Sequence, residues 1–77
     1  MENHDEVKSE LIQKDLEFRR LYEEHQTHER RLDELIRHPS ASTEAELAVK
    51  TLKIQKLRLK DRMEEKIQHQ LHRAASA

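Results

Sequence analysis

The stretch His38-Pro39-Ser40-Ala41-Ser42-Thr43-Glu44-Ala45-Glu46 decides how this chain folds. It holds the only proline of a sequence without glycine. Proline disfavours helix at the residue before it and removes a backbone donor. Thr43-Glu44-Ala45-Glu46 reads as a capping box, with Thr43 capping the Glu46 N–H and Glu46 reaching back to Thr43. The spacing predicts helix one over about 5–37, a loop at 38–42 and helix two over about 43–73, with a frayed tail at 74–77. Asn3-His4-Asp5-Glu6 offers a cap for the first start. Glu, Lys, Leu, Arg and Gln, all good helix formers, fill both long segments.

The apolar period supports a return of the chain on itself. From Val7, steps of four and three reach Leu11, Lys14, Phe18, Leu21, His25, His28, Leu32 and Leu35, a heptad seam with polar occupants. Ala45, Val49, Leu52, Lys56, Leu59, Met63, Ile67, Gln70 or Leu71, and Ala74 keep nearly the same rhythm. Folding back at Pro39 sets Leu32 against Val49, His25 near Lys56, Leu21 near Leu59 and Phe18 near Met63. The same register sets Lys14 near Ile67, Leu11 against Leu71 and Val7 against Ala74. The expected fold is all-α: an antiparallel two-helix hairpin, coiled-coil-like, roughly 45–50 Å long at about 1.5 Å per residue. Its seam is expected to rest on Leu11, Phe18, Leu21, Leu32, Val49, Leu52, Leu59, Met63 and Ile67.

Composition sets further bounds. The chain has 77 residues, 40% charged and 34% hydrophobic, so residues 1–77 form a single domain with a thin core. One Phe, one Tyr and no Trp leave little to enclose a substrate-sized cleft. The lack of glycine argues against phosphate-cradling loops and tight hairpin turns. With no cysteine, neither a disulfide framework nor a Cys-based zinc site is available. No apolar run approaches the roughly 20 residues of a membrane span, and the acidic start lacks the layout of a signal peptide. A cytoplasmic protein is expected. Residues 1–38 carry 11 acidic and 7 basic side chains, and residues 39–77 carry 5 and 8. The two halves therefore attract weakly, in a salt-dependent way.

The pairing leaves a remainder. Leu47, Ile54 and Leu57 lie roughly opposite Leu52 and Leu59 on helix two, and Ile12, Tyr22 and Ile36 flank the first seam. One seam hardly offsets the ordering entropy of the chain. Further burial is expected, most simply by self-association into a dimer that makes a four-helix bundle, or on a helical protein partner. Tyr22, Leu47, Ile54 and Leu57 are the candidate contact residues.

Two segments resemble a known family. Phe18-Arg19-Arg20-Leu21-Tyr22-Glu23-Glu24-His25 is similar to the F-x-x-L-F/Y-x-x-H signature of the small bacterial YdcH-like proteins. Leu52-Lys53-Ile54-Gln55-Lys56-Leu57-Arg58-Leu59-Lys60-Asp61-Arg62-Met63 is similar to their K-x-Q-K-L-x-L-K-D-x-M/I signature. The resemblance covers about residues 7–67. The family often has Asn-Pro before the Phe, where this chain has Asp15-Leu16, so helix one either breaks there with Asp15 as a cap or runs through; the family usually has Leu at the position of His28. The resemblance implies a helical hairpin and a family with no established biochemical activity. It supplies no catalytic or ligand residues.

The remaining chemistry lies in histidines and cations. His25 with His28, and His69 with His72, are i, i+3 pairs that each share a helical face. The hairpin register holds the pairs far apart, so the expected metal and cofactor content is none. His25 facing Lys56 in a partly dry seam should resist protonation. Lys50, Lys53, Lys56, Arg58, Lys60 and Arg62 make a basic stretch that offers phosphate contact as an alternative, nucleic-acid-binding role. It lacks an aromatic residue for base stacking, and Glu23, Glu24 and Glu29 stand ready to neutralise it. Enzymatic activity and a small-molecule substrate are not expected, because acid–base work needs a sheltered, tuned site.

Overall fold

The computed structural model describes residues 3–38 and 42–76, with side chains through Arg73. Among these residues the chain is all helical: α1 spans His4–Lys14, α2 Leu16–Arg37 and α3 Thr43–Ser76. Of the two courses open to the first segment, continuous over 5–37 or broken near Asp15, the chain takes the broken one, as two helices. Residues 39–41 of the expected loop lie outside the described residues.

The break is made by one side chain. Asp15 has an extended backbone, φ −107° and ψ 108°. Its N–H still donates to the Leu11 carbonyl at 2.9 Å, closing α1. Its carboxylate accepts from the Phe18 N–H at 3.1 Å, opening α2. The other carboxylate oxygen accepts from Lys66 Nζ on α3 at 2.9 Å. An aspartate at an N-cap satisfies a donor that the first helical turn leaves orphaned. Asn3 does the same for α1, accepting from Glu6 N at 2.9 Å. At α3 the expected cap moves one residue back. The Ser42 hydroxyl, not that of Thr43, accepts from the Ala45 N–H at 3.1 Å.

The break lets α1 double back. Lys8 Nζ lies 5.7 Å from the centre of the Tyr22 ring, and His4 Nε2 lies 2.7 Å from Glu64 Oε2. The helix therefore runs antiparallel to α2 and in the same sense as α3. α2 and α3 pack antiparallel, tied by Glu17 to Arg62 at 3.8 Å at one end and by Glu29 to Lys56 at 3.2 Å further along. The molecule measures 54 × 19 × 17 Å.

Burial explains why the chain bends. Val7 and Phe18 are fully buried in one cluster with Leu21, Leu59, Met63 and Ile67. The expected register sent Val7 to Ala74, near the chain end, where little apolar surface awaits it. Folding α1 back brings it onto Met63 and Ile67 instead, and each buried methylene contributes about 0.8 kcal/mol. Lys14, expected near Ile67, is exposed and pairs with Glu10 at 3.2 Å. Leu32 and Leu52 are buried as the register requires, while Leu11 and Val49 are half-buried. Ile12 and Tyr22 pack against the cluster, and Ile36 stays in water.

Asp15→Ala removes both the α2 cap and the α3 tie. Urea melts should show a loss of about 1–2 kcal/mol, and Asp15→Asn, which keeps a capping oxygen, should lose less. The hydrogen bond from Lys66, first, and that from Phe18 hold the Asp15 carboxyl below its ordinary 3.8. Its contribution is therefore present above pH 3.8 and disappears as the pH falls through the lower, folded-state value. An Asp15→Ala chain as stable as wild type at neutral pH would contradict this role.

Candidate interaction surface

α3 is longer than its partners can cover. Leu52, Leu59, Met63 and Ile67 face the core, and the opposite stripe carries Leu47, Ile54 and Leu57. These three are 57%, 52% and 58% exposed, all on one face of an unbroken helix. The other large exposed apolar residues, Leu16 and Ile36, sit at opposite ends of α2. Tyr22 does not join the stripe. It packs against the core cluster, its ring under the Lys8 ammonium, a contact favoured by the negative face of the ring.

The basic stretch is divided among several neighbours. Lys56 is held by Glu29 at 3.2 Å, and Arg62 lies 3.8 Å from Glu17. Lys60 borders the cleft beneath α1, and Arg58 borders a shallow depression with Glu24 and His28. Lys50 and Lys53 are exposed on α3. The residues named for phosphate contact thus point several ways, and two of them face carboxylates.

The cleft beneath α1 was not legible from the sequence, because it needs His4 and Lys8 beside His25, Lys56, Lys60 and Glu64. Only a helix that turns back at Asp15 brings them together. The available signal was Asp15 three residues before Phe18, a capping spacing. In the cleft, burial pushes the His25 imidazole below its ordinary 6.5. Lys56, Lys8 and Lys60 push the same way, and Glu29 opposes them. The hydrogen bond from Lys56, and then its charge, hold Glu29 below the usual carboxylate value. The hydrogen bond with His4 does the same for Glu64. His69 borders a different groove, with Leu11 and Asp15. Among the described residues no group of three or more His, Asp or Glu side chains is placed to hold a metal ion. Among the described residues no helix is long and apolar enough to cross a membrane.

The lowered His25 value fixes a sign. Below pH 6.5 the unfolded chain takes up a proton that the folded chain resists, so stability falls until the pH drops below the folded-state value. Melts between pH 7.5 and 5.5 should show this loss. His25→Gln should flatten it. Equal pH sensitivity of wild type and His25→Gln would contradict the assignment.

The signatures that mark α2 and the middle of α3 also match a described family. The family "Protein of unknown function (DUF465)" matches residues 18–71, which run from Phe18 at the start of α2 to Leu71 in α3. No curated protein and no solved structure matches the chain. The resemblance to the YdcH-like proteins agrees with this match. On a match that covers most of its length, from core cluster to outer stripe, the chain belongs to the DUF465 family, to which no function is assigned.

Proposed function

We propose that this protein is a small protein–protein interaction module that associates with itself through the outer face of α3. The observation that carries the reading is the stripe of Leu47, Ile54 and Leu57, each more than half exposed on one side of a 34-residue helix. Large apolar side chains gathered on one face of a soluble helix mark contact surfaces more often than scattered ones do. The need for burial points the same way: the described core gathers near α1, leaving the Thr43 end of α3 with few buried neighbours. Two copies joined along α3 would bring two α2–α3 pairs into a four-helix arrangement.

The reading carries no catalytic step and no cofactor, and we take the cytoplasm as its setting. Phosphate contact through Lys50, Lys53, Lys56, Arg58, Lys60 and Arg62 is the weaker reading. Glu29 and Glu17 already answer two of those cations, and stacking aromatics are lacking.

Light scattering after size exclusion should give a mass near twice the 9.3 kDa chain. Ile54→Lys with Leu57→Lys should return it to one chain mass while circular dichroism stays helical. A wild-type protein that runs as a monomer at every concentration would overturn the reading.

A further inference from the structure

We infer that the second copy docks antiparallel along α3 in one register, with the two-fold axis at the level of residue 52. The inference rests on the self-association reading above and adds the geometry of the contact.

The outer stripe is a second heptad seam. Thr43, Leu47, Lys50, Ile54, Leu57 and Asp61 follow one another at steps of four and three, the spacing that two helices share when knobs enter holes. The seam lies on the side of α3 away from Leu52 and Leu59, which α2 covers. In an antiparallel pair each position of one class faces a position of the other class. With the axis at residue 52, Leu47 faces the second copy's Leu57, twice over by symmetry. Ile54 lies along the aliphatic stem of the second copy's Lys50. Thr43 faces Asp61.

The flanking positions decide between registers. In this one, Glu44 faces Arg58 of the second copy and Glu46 faces Lys60, again each twice. All four side chains are exposed and available. Thr51 meets its own copy at the axis, and Lys53 meets Lys53, the one like-charge contact. Sliding the partner by one heptad sets Ile54 against Leu57, but Leu47 against Glu64, Lys53 against Lys60 and Glu44 against Glu65. Opposite charges at such flanking positions select partner orientation, and like charges oppose it. A parallel pairing sets the seam residues Lys50 and Asp61 each against its own copy and the flanking Lys53 beside Arg58 of the second copy. The antiparallel register about residue 52 joins Leu47 to Leu57 along the seam and sets acid against base beside it. A symmetric contact of this kind is self-complementary and closes at two copies.

Reversing one flank tests the register. Glu44→Arg should weaken the dimer about tenfold in sedimentation equilibrium, since two ion pairs become two repulsions. Glu44→Arg with Arg58→Glu should restore wild-type affinity. In the slid register Glu44→Arg would strengthen the dimer instead, by relieving the contact with Glu65. The chain has no cysteine of its own, so single tags report cleanly. Thr51→Cys should cross-link to itself with a short bismaleimide, and Leu57→Cys, about 15 Å from its copy at 1.5 Å per residue, should not. A dimer that Glu44→Arg leaves unchanged or tightens, that Arg58→Glu fails to rescue while helicity is intact, or that links through Leu57→Cys and not Thr51→Cys overturns the register and leaves self-association standing. A wild-type monomer overturns both.

Discussion

The fold depends on what one carboxylate does at Asp15. A continuous first helix would satisfy its backbone hydrogen bonds without help. Breaking it orphans N–H groups that need another acceptor. Asp15 meets that cost on one oxygen by capping Phe18, and on the other it is tied to α3 through Lys66. The exchange turns α1 back on the molecule, so that Val7 is fully buried beside Phe18 and Ile67. Neither the cap nor the ion pair is large alone, because Asp15 and Lys66 remain partly solvated. Their value is positional: they set the angle at which an apolar side chain reaches the core.

Much of this was written in the sequence, and the part that was not has a definite reason. The pairing of Leu21 with Leu59 and of Phe18 with Met63 followed from two heptad rhythms brought into register, and all four residues are buried together. Periodicity reports which face of a helix is apolar, but it passes through a single capped residue without a mark. Val7, Leu11 and Phe18 keep the same rhythm whether or not the helix breaks between them. Asp15 carried the only local signal, a capping residue three positions before Phe18, and it competed with a stretch of strong helix formers. The cap at Ser42 instead of Thr43 is the same lesson on a smaller scale, since adjacent hydroxyls compete for one role. The cleft holding His4 and Lys8 beside His25 could not be read at all without the turn.

The turn also explains why the surface is uneven. α1 spends its apolar residues on the part of α3 near Met63 and Ile67 and leaves the Thr43 end of that helix paired with α2 alone. Leu47, Ile54 and Leu57 are what remains. A chain with 40% charged residues keeps such a stripe in water at a cost unless something covers it. Charges beside the stripe change sign once along α3, acidic at Glu44 and Glu46 and basic at Arg58 and Lys60, which would suit a partner running the opposite way. His25 sits apart from that stripe, beneath α1, so the predicted acid sensitivity and the proposed association would belong to different faces of the same small molecule.

The most direct measurement of the folded-back arrangement is a set of proton–proton distances by nuclear Overhauser effects from the Val7 methyls at neutral pH. The account requires contacts from Val7 to the Phe18 ring and to Met63 or Ile67, together with a non-helical Asp15. Contacts from Val7 to Ala74 instead, with Asp15 inside one continuous helix, would contradict it.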